Sequence, residues 1–260
     1  MKSTDRDIFF ISIVDHILVK HSGIGLEIFR LDLHRCGYID ASYLDRWLQI
    51  VVHLGTKELS LVAPSRMNTE YNFPCSVFSD EAAARSIRFL DLDGCAFRPT
   101  EALGCLRRLT RLQLYHVDIT DEGLGHLLLK SSALEHMVVI SCNKIICLRI
   151  PCTLQKLTFL RVASCGWLES VHINAPTLST FYCVGILVKD ISVADPWQLK
   201  HVYLSSYIPC DTLSFACAKL PAFARNIESL DLLSLSEVCG SFYIVIQIHI
   251  SSSMDVTKYS

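Results

Sequence analysis

An α/β repeat solenoid is the fold class this sequence predicts, on three observations. One apolar pattern, L-x-x-L-x-L-x-x-C, recurs along the chain at intervals of 21 to 31 residues. Half of the chain is hydrophobic (51%) and only 19% charged, which excludes intrinsic disorder. Yet no apolar run approaches the roughly 20 residues of a membrane span. The longest, Phe242 to Ile250, is interrupted by Gln247 and His249. The apolar excess is therefore expected to lie inside stacked units, each hiding its face against the next.

The pattern is sharpest in four places. Ile28-x-x-Leu31-x-Leu33-x-x-Cys36 is echoed by Ile87-x-x-Leu90-x-Leu92-x-x-Cys95, Leu134-x-x-Met137-x-Val139-x-x-Cys142 and Leu157-x-x-Leu160-x-Val162-x-x-Cys165. Weaker copies begin at Thr56, Leu109, Leu178, Leu199 and Ile227, making nine in all. This is the core of a leucine-rich repeat. The L-x-L pair alternates at period two, so both apolar residues enter the core while the one between faces out. Parallel strands are predicted at 30–33, 59–61, 89–92, 111–114, 136–139, 159–162, 180–183, 201–204 and 229–232. Cysteine at the ninth position fits as a small buried hydrophobe with a weak donor where the chain leaves the strand.

The remaining elements follow in order. Phe10, Val14, Ile17 and Leu18 predict an amphipathic helix capping the solenoid within residues 1–24. In the first repeats the return legs are helical. Leu44, Trp47, Leu48, Val51 and Val52 share one face behind a Ser42 cap. Thr120 caps a second helix, with Asp121 and Glu122 in its first turn and Leu124, Leu127 and Leu128 buried. In the middle, extra copies at Ile145-x-x-Leu148-x-Ile150, Leu168-x-x-Val171-x-Ile173 and Val188-x-x-Ile191-x-Val193 fall halfway between strands, each followed by proline. Residues 145–196 should thus hold extended returns and little helix. The solenoid is assigned to residues 25–235 and a divergent tail to 236–260.

No enzyme motif assembles. Gly23-Ile-Gly25 lacks the third glycine of a dinucleotide loop, and there is no Walker loop, G-x-S-x-G elbow, C-x-x-C pair or H-E-x-x-H helix. Neither cofactor nor metal is expected, and the chain reads as non-enzymatic. A net charge of −2, from 24 basic and 26 acidic side chains, argues against nucleic acid as a partner. Asp5 and Asp7 spoil a secretory leader, so the twelve cysteines read as reduced intracellular thiols. What remains is the concave sheet, the face repeat solenoids use for extended protein contacts. Its outward residues turn aromatic and basic in the later strands, and Arg111, Tyr115, Phe159, Arg161, Tyr182 and Tyr203 are the candidate partner-binding set.

Several stretches carry a family likeness: Val14-Asp-His-Ile-Leu18 with His21-Ser-Gly23, Tyr43-Leu-Asp-Arg-Trp-Leu48, Tyr71-Asn-Phe-Pro-Cys75 and Leu106-Arg-Arg-Leu-Thr-Arg-Leu112. Ile146-Cys-Leu148 and Ala175-Pro-Thr-Leu178-Ser-Thr-Phe181 extend it. Over roughly residues 8–235 the chain resembles the repeat region of plant F-box/leucine-rich-repeat proteins. That resemblance implies a substrate-recognition arm of a cullin–RING ubiquitin ligase, with an unknown protein substrate on the concave face. No Leu-Pro F-box signature precedes the first repeat, so binding of the ligase adaptor is not expected. A structural remnant without a partner, and an enzyme whose residues meet only in space, are the other readings open to this sequence.

Overall fold

Period-two alternation builds the main sheet. The computed structural model describes residues 5–20, 25–36, 39–64, 70–80, 84–185, 188–206, 211–236 and 242–249. It opens with α1 (Asp5–Lys20), β1 (Ile28–Asp32), α2 (Ala41–His53), β2 (Glu58–Val62) and β3 (Asn72–Phe73). A 3-10 turn at Cys75–Phe78 leads to β4 (Phe89–Asp93), β5 (Ala96–Phe97), β6 (Arg111–Tyr115) and α3 (Asp121–Leu129). Then come β7 (His136–Ile140), β8 (Cys147–Ile150), β9 (Phe159–Ala163), β10 (Ser170–Ile173), β11 (Thr180–Gly185) and β12 (Asp190–Val193). The chain continues through β13 (His201–Ser206), α4 (Asp211–Phe223), β14 (Ser229–Ser236) and β15 (Phe242–His249).

Ten strands form one sheet in the order β1-β2-β4-β6-β7-β9-β11-β13-β14-β15. All neighbours up to β14 pair in parallel, so the nine predicted segments stack in one sense. The register aligns Leu59, Leu90, Leu112, Met137, Leu160, Phe181, Val202 and Leu230 in one inward row. Leu61, Leu92, Leu114, Val139, Val162, Cys183, Leu204 and Leu232 make the second, and both rows are buried. At about 1.5–3 kcal/mol for each large side chain removed from water, these two rows dominate the stability of the sheet.

The first repeat departs from the sequence reading. Arg30 pairs with Ser60, and Phe29 and Leu31 stand beside Leu59 and Leu61. The repeat therefore begins at Leu26, two residues before Ile28, which is half exposed. A period-two pattern fits itself again after a shift of two, and Leu33, fully buried beyond the strand end, supplied the misleading third apolar position. Cys36 is accordingly off the cysteine column and only partly buried.

The middle of the chain has the expected flattened turns. β8, β10 and β12 form a second parallel sheet, and the described residues between 145 and 196 contain no helix. Leu148, Ile150, Val171, Ile173 and Ile191 face the same core as the main sheet. Asp121, at the head of α3, fastens this second layer by accepting from the backbone N–H groups of Ile146 (2.8 Å) and Cys147 (3.0 Å).

The helices agree in position and differ in detail. Thr120 caps α3 by accepting from Gly123 N–H. For α2 the cap is Asp40 rather than Ser42, because the Asp40 carboxylate accepts the Ser42 N–H at 2.9 Å. In α1 the buried apolar positions are Ile11 and Leu18, with Phe10 and Val14 partly covered, whereas Ile17 faces outward. Asp15 ties this helix to α2, accepting from Trp47 Nε1–H at 2.6 Å and from the Arg46 guanidinium. These donors hold its carboxyl below the ordinary range against the opposing effect of desolvation. A fourth helix, α4, fills the return between β13 and β14, where Ala216, Leu220 and Phe223 are buried. The sequence reading confined helical returns to the first repeats. The 28 residues between the copies at Leu199 and Ile227 approach the 30 from Leu26 to Thr56, the interval that holds α2. Within the region assigned to the tail, β15 pairs antiparallel with β14. The His21–Gly23 stretch, Cys239 and residues 250–260 lie outside the described residues.

Five strands of the main sheet, β4, β6, β7, β9 and β11, end at a left-handed residue. Gly94, His116, Ser141, Ser164 and Gly185 occupy the eighth repeat position with φ between +50° and +110°. Four of them donate their N–H to the carbonyl at the seventh position of the following repeat, as in His116 to Ile140 at 2.9 Å. Such a bond per repeat offsets the cost of placing a side chain at positive φ.

The next position holds cysteine in three of these repeats, Cys95, Cys142 and Cys165. Cys142 Sγ reaches the Leu114 and Ile140 carbonyls, and Cys165 Sγ those of Val139 and Ala163. Burial pushes the Cys142 and Cys183 thiols up to about 12 and raises Cys95 further. At pH 8 a thiol titrating near 12 is only about one part in ten thousand thiolate. Alkylation of the folded chain at pH 8 should therefore modify the exposed Cys152 and Cys217 and spare Cys95, Cys142 and Cys183. Mass spectrometry of the labelled chain checks this; rapid labelling of Cys142 without unfolding is the contrary result.

Candidate protein-binding face

The outward strand positions make three rows across the open face of the main sheet. The first holds Glu58, Phe89, Arg111, His136, Phe159, Thr180, His201 and Ser229. The second holds Arg30, Ser60, Asp91, Gln113, Val138, Arg161, Tyr182, Tyr203 and Asp231. Asp93 and Tyr115 stand in the third.

Chemistry divides this face. Toward the N-terminal repeats it is charged and internally paired. Glu58 receives Arg30 at 2.8 Å and Arg111 at 3.7 Å, and the Arg111 guanidinium lies 4.8 Å from the centre of the Phe89 ring. Phe89, nominally outward, is thereby buried. Burial beside Asp93 raises the Asp91 carboxyl, against the Ser60 hydroxyl that donates to it at 2.8 Å. Burial, with Asp91 nearby, also raises the Tyr115 phenol, and Arg161 acts against that rise.

Toward the C-terminal repeats the face is aromatic and continuous. His136 lies against Phe159 at 5.5 Å between ring centres, Phe159 against Tyr182 at 5.5 Å, and Tyr182 stacks on Tyr203 at 5.3 Å. Register pairs about 4.8 Å apart bring His136 to Phe159 and Tyr182 to Tyr203, within the about 4.5–7 Å that ring–ring contact needs, while the Phe159–Tyr182 contact crosses diagonally between the two rows. Arg161 is exposed beside Tyr182, its register partner.

All six candidate residues lie on this one face, within four strand spacings or about 19 Å. Phe159, Tyr182 and Tyr203 touch in series, whereas Arg111 is engaged by Glu58 and Phe89 on the charged side. The sequence reading passed over Glu58 and Asp231. Asp231 stands between Leu230 and Leu232, the same L-x-L signal that places Tyr182 and Tyr203, so its position was open to inference.

Two adjoining hollows of about 650 and 340 Å³ sit at the loop edge, away from the strand rows. Between them Asp118 binds Lys144 at 2.7 Å and approaches Arg98 at 3.7 Å. Burial and the neighbouring Asp118 raise the Glu70 carboxyl. The positive groups here are already answered by carboxylates. Among the described residues no three His, Cys, Asp or Glu side chains gather as a metal site. No described helix is long and apolar enough to cross a membrane.

Parallel strands with two inward apolar rows, and outward rows that form one broad open face, define a leucine-rich-repeat domain. Residues 17–248 match the family model described as "At1g61320/AtMIF1, LRR domain". The chain belongs to that family. Comparisons with curated proteins and with solved structures gave no match. Leucine-rich-repeat domains are protein-binding modules and are typically non-enzymatic.

Proposed function

We propose that this chain is the recognition arm of an F-box-type ubiquitin-ligase subunit, holding a protein substrate on the concave face. Arg111, Tyr115, Phe159, Arg161, Tyr182 and Tyr203 are the proposed contacts. The ligase role rests on the resemblance of the repeats to F-box/leucine-rich-repeat proteins. The binding role rests chiefly on the unbroken contact of Phe159, Tyr182 and Tyr203 across three adjacent strands. Rigid aromatics lose little entropy on binding and are enriched at interface hot spots.

Tyr182→Ala with Tyr203→Ala is the test. Truncating a hot spot costs about 2 kcal/mol or more, so partner capture should fall at least about thirtyfold. The rings lie on the open face and leave no hole in the core, so the Tm should stay nearly unchanged. Undiminished capture by this double variant sinks the binding role. Ligase adaptor is not expected to be recovered with this chain, and its recovery would overturn that expectation.

A further inference from the structure

At its β14 end the aromatic line meets a carboxylate. Asp231 is the register partner of Tyr203, and the two line a hollow of about 250 Å³ with Tyr182, Thr180, His201 and Ser229. Its Oδ1 is buried and accepts no hydrogen bond from the described residues. A buried carboxylate oxygen without a donor is costly, and because Asp231 also lines the hollow, its carboxylate marks the place where a donor from outside would gain most. No Lys or Arg is among the side chains lining this hollow. Lys200, just before β13, is held by Glu228 at 2.8 Å.

We propose that the hollow takes the guanidinium of an arginine side chain from the protein partner, donating to the Asp231 carboxylate and lying against Tyr203 and Tyr182. This rests on the reading of the open face as the partner surface and specifies the chemistry of one contact on it. Three properties favour arginine. Its flat cation stacks on aromatic rings, its fork of donors suits a carboxylate, and it is more weakly hydrated than an ammonium group. The hydroxyls of Thr180 and Ser229 can accept its remaining N–H groups. The size agrees as well: 250 Å³ is smaller than the about 300–1,000 Å³ of drug-sized ligand sites and suits the end of one side chain.

The probe is acetyl-Gly-Arg-Gly-amide, titrated into the full chain beside the same peptide carrying citrulline, which keeps the shape and removes the charge. The arginine peptide should bind at least about tenfold more tightly. Asp231→Asn, which keeps the side-chain size, should bring both peptides to one weak level while the Tm is retained. Equal binding of the two peptides to the unsubstituted chain, or no binding of either at millimolar concentration, overturns the proposal. So does an arginine preference that survives in a folded Asp231→Asn. If that variant melts early, the peptide comparison on the unsubstituted chain decides alone. Should the arginine contact fail while Tyr182→Ala with Tyr203→Ala still abolishes partner capture, the open face remains the partner surface; undiminished capture defeats that broader reading instead.

Discussion

Replacing Trp47 with alanine is expected to lower the stability of the chain by about 3–5 kcal/mol, the range for removing a buried Trp or Phe. Trp47 is fully buried in α2, and its indole reaches α1 through Phe10 and Asp15 while packing on Tyr43 of its own helix. The ring meets Phe10 edge-on at 6.3 Å and Tyr43 at 6.3 Å, while its N–H donates to Asp15 at 2.6 Å. The loss therefore combines a cavity with a carboxylate deprived of one donor, since only Arg46 would remain on Asp15. Chemical denaturation followed by circular dichroism measures it, and a change under about 1 kcal/mol would contradict the packing described. The Asp15 link should also make this end of the solenoid acid-sensitive. Its carboxyl titrates lower in the folded chain than in the unfolded one, so its contribution is present above the ordinary aspartate range. That contribution is lost as pH falls through the lowered folded value.

Phe181→Ala should be as damaging, by about 3–5 kcal/mol, although the next residue, Tyr182, can be truncated at little cost to the fold. The two side chains leave β11 on opposite faces. Phe181 is fully buried between Leu160 and Val202 in the inward row, whereas Tyr182 stands between Arg161 and Tyr203 on the open face. Neighbouring substitutions thus separate stability from recognition. Phe181→Ala should depress the Tm and lose partner capture only through unfolding; Tyr182→Ala should weaken capture with the Tm nearly intact. Similar thermal shifts for both would mean that β11 does not alternate as described.

That alternation is also why so much of the architecture was legible in the sequence. A leucine pair at period two, repeated nine times, specifies strand, direction and inward face together. The same property hid the register of the first repeat, where Phe29-x-Leu31 and Leu31-x-Leu33 satisfy one pattern and only pairing with β2 chooses between them. The cap of α2 was missed because Asp40 and Ser42 are both good caps two residues apart, and geometry selects the carboxylate. The left-handed column could have been suspected from Gly94 and Gly185 at one repeat position, yet His116, Ser141 and Ser164 share it and gave no such sign. On the open face the outward residues could be listed from the pattern. Which of them touch depends on side-chain reach across strands, so the Arg111–Phe89 contact and the solitary Asp231 oxygen emerged only in three dimensions.

The antiparallel pairing of β15 bears on how copies of this chain could meet. A stack of like-directed strands offers, at its two margins, edges that could continue one another head to tail, and such self-continuing contacts grow into open filaments. Here the described sheet begins with β1 and finishes with β15 running the opposite way. A second copy placed to prolong the stack would set its β1 antiparallel to the first copy's β15, out of step with the repeat. The reversal of a single strand thus opposes fibre growth by simple continuation of the repeats.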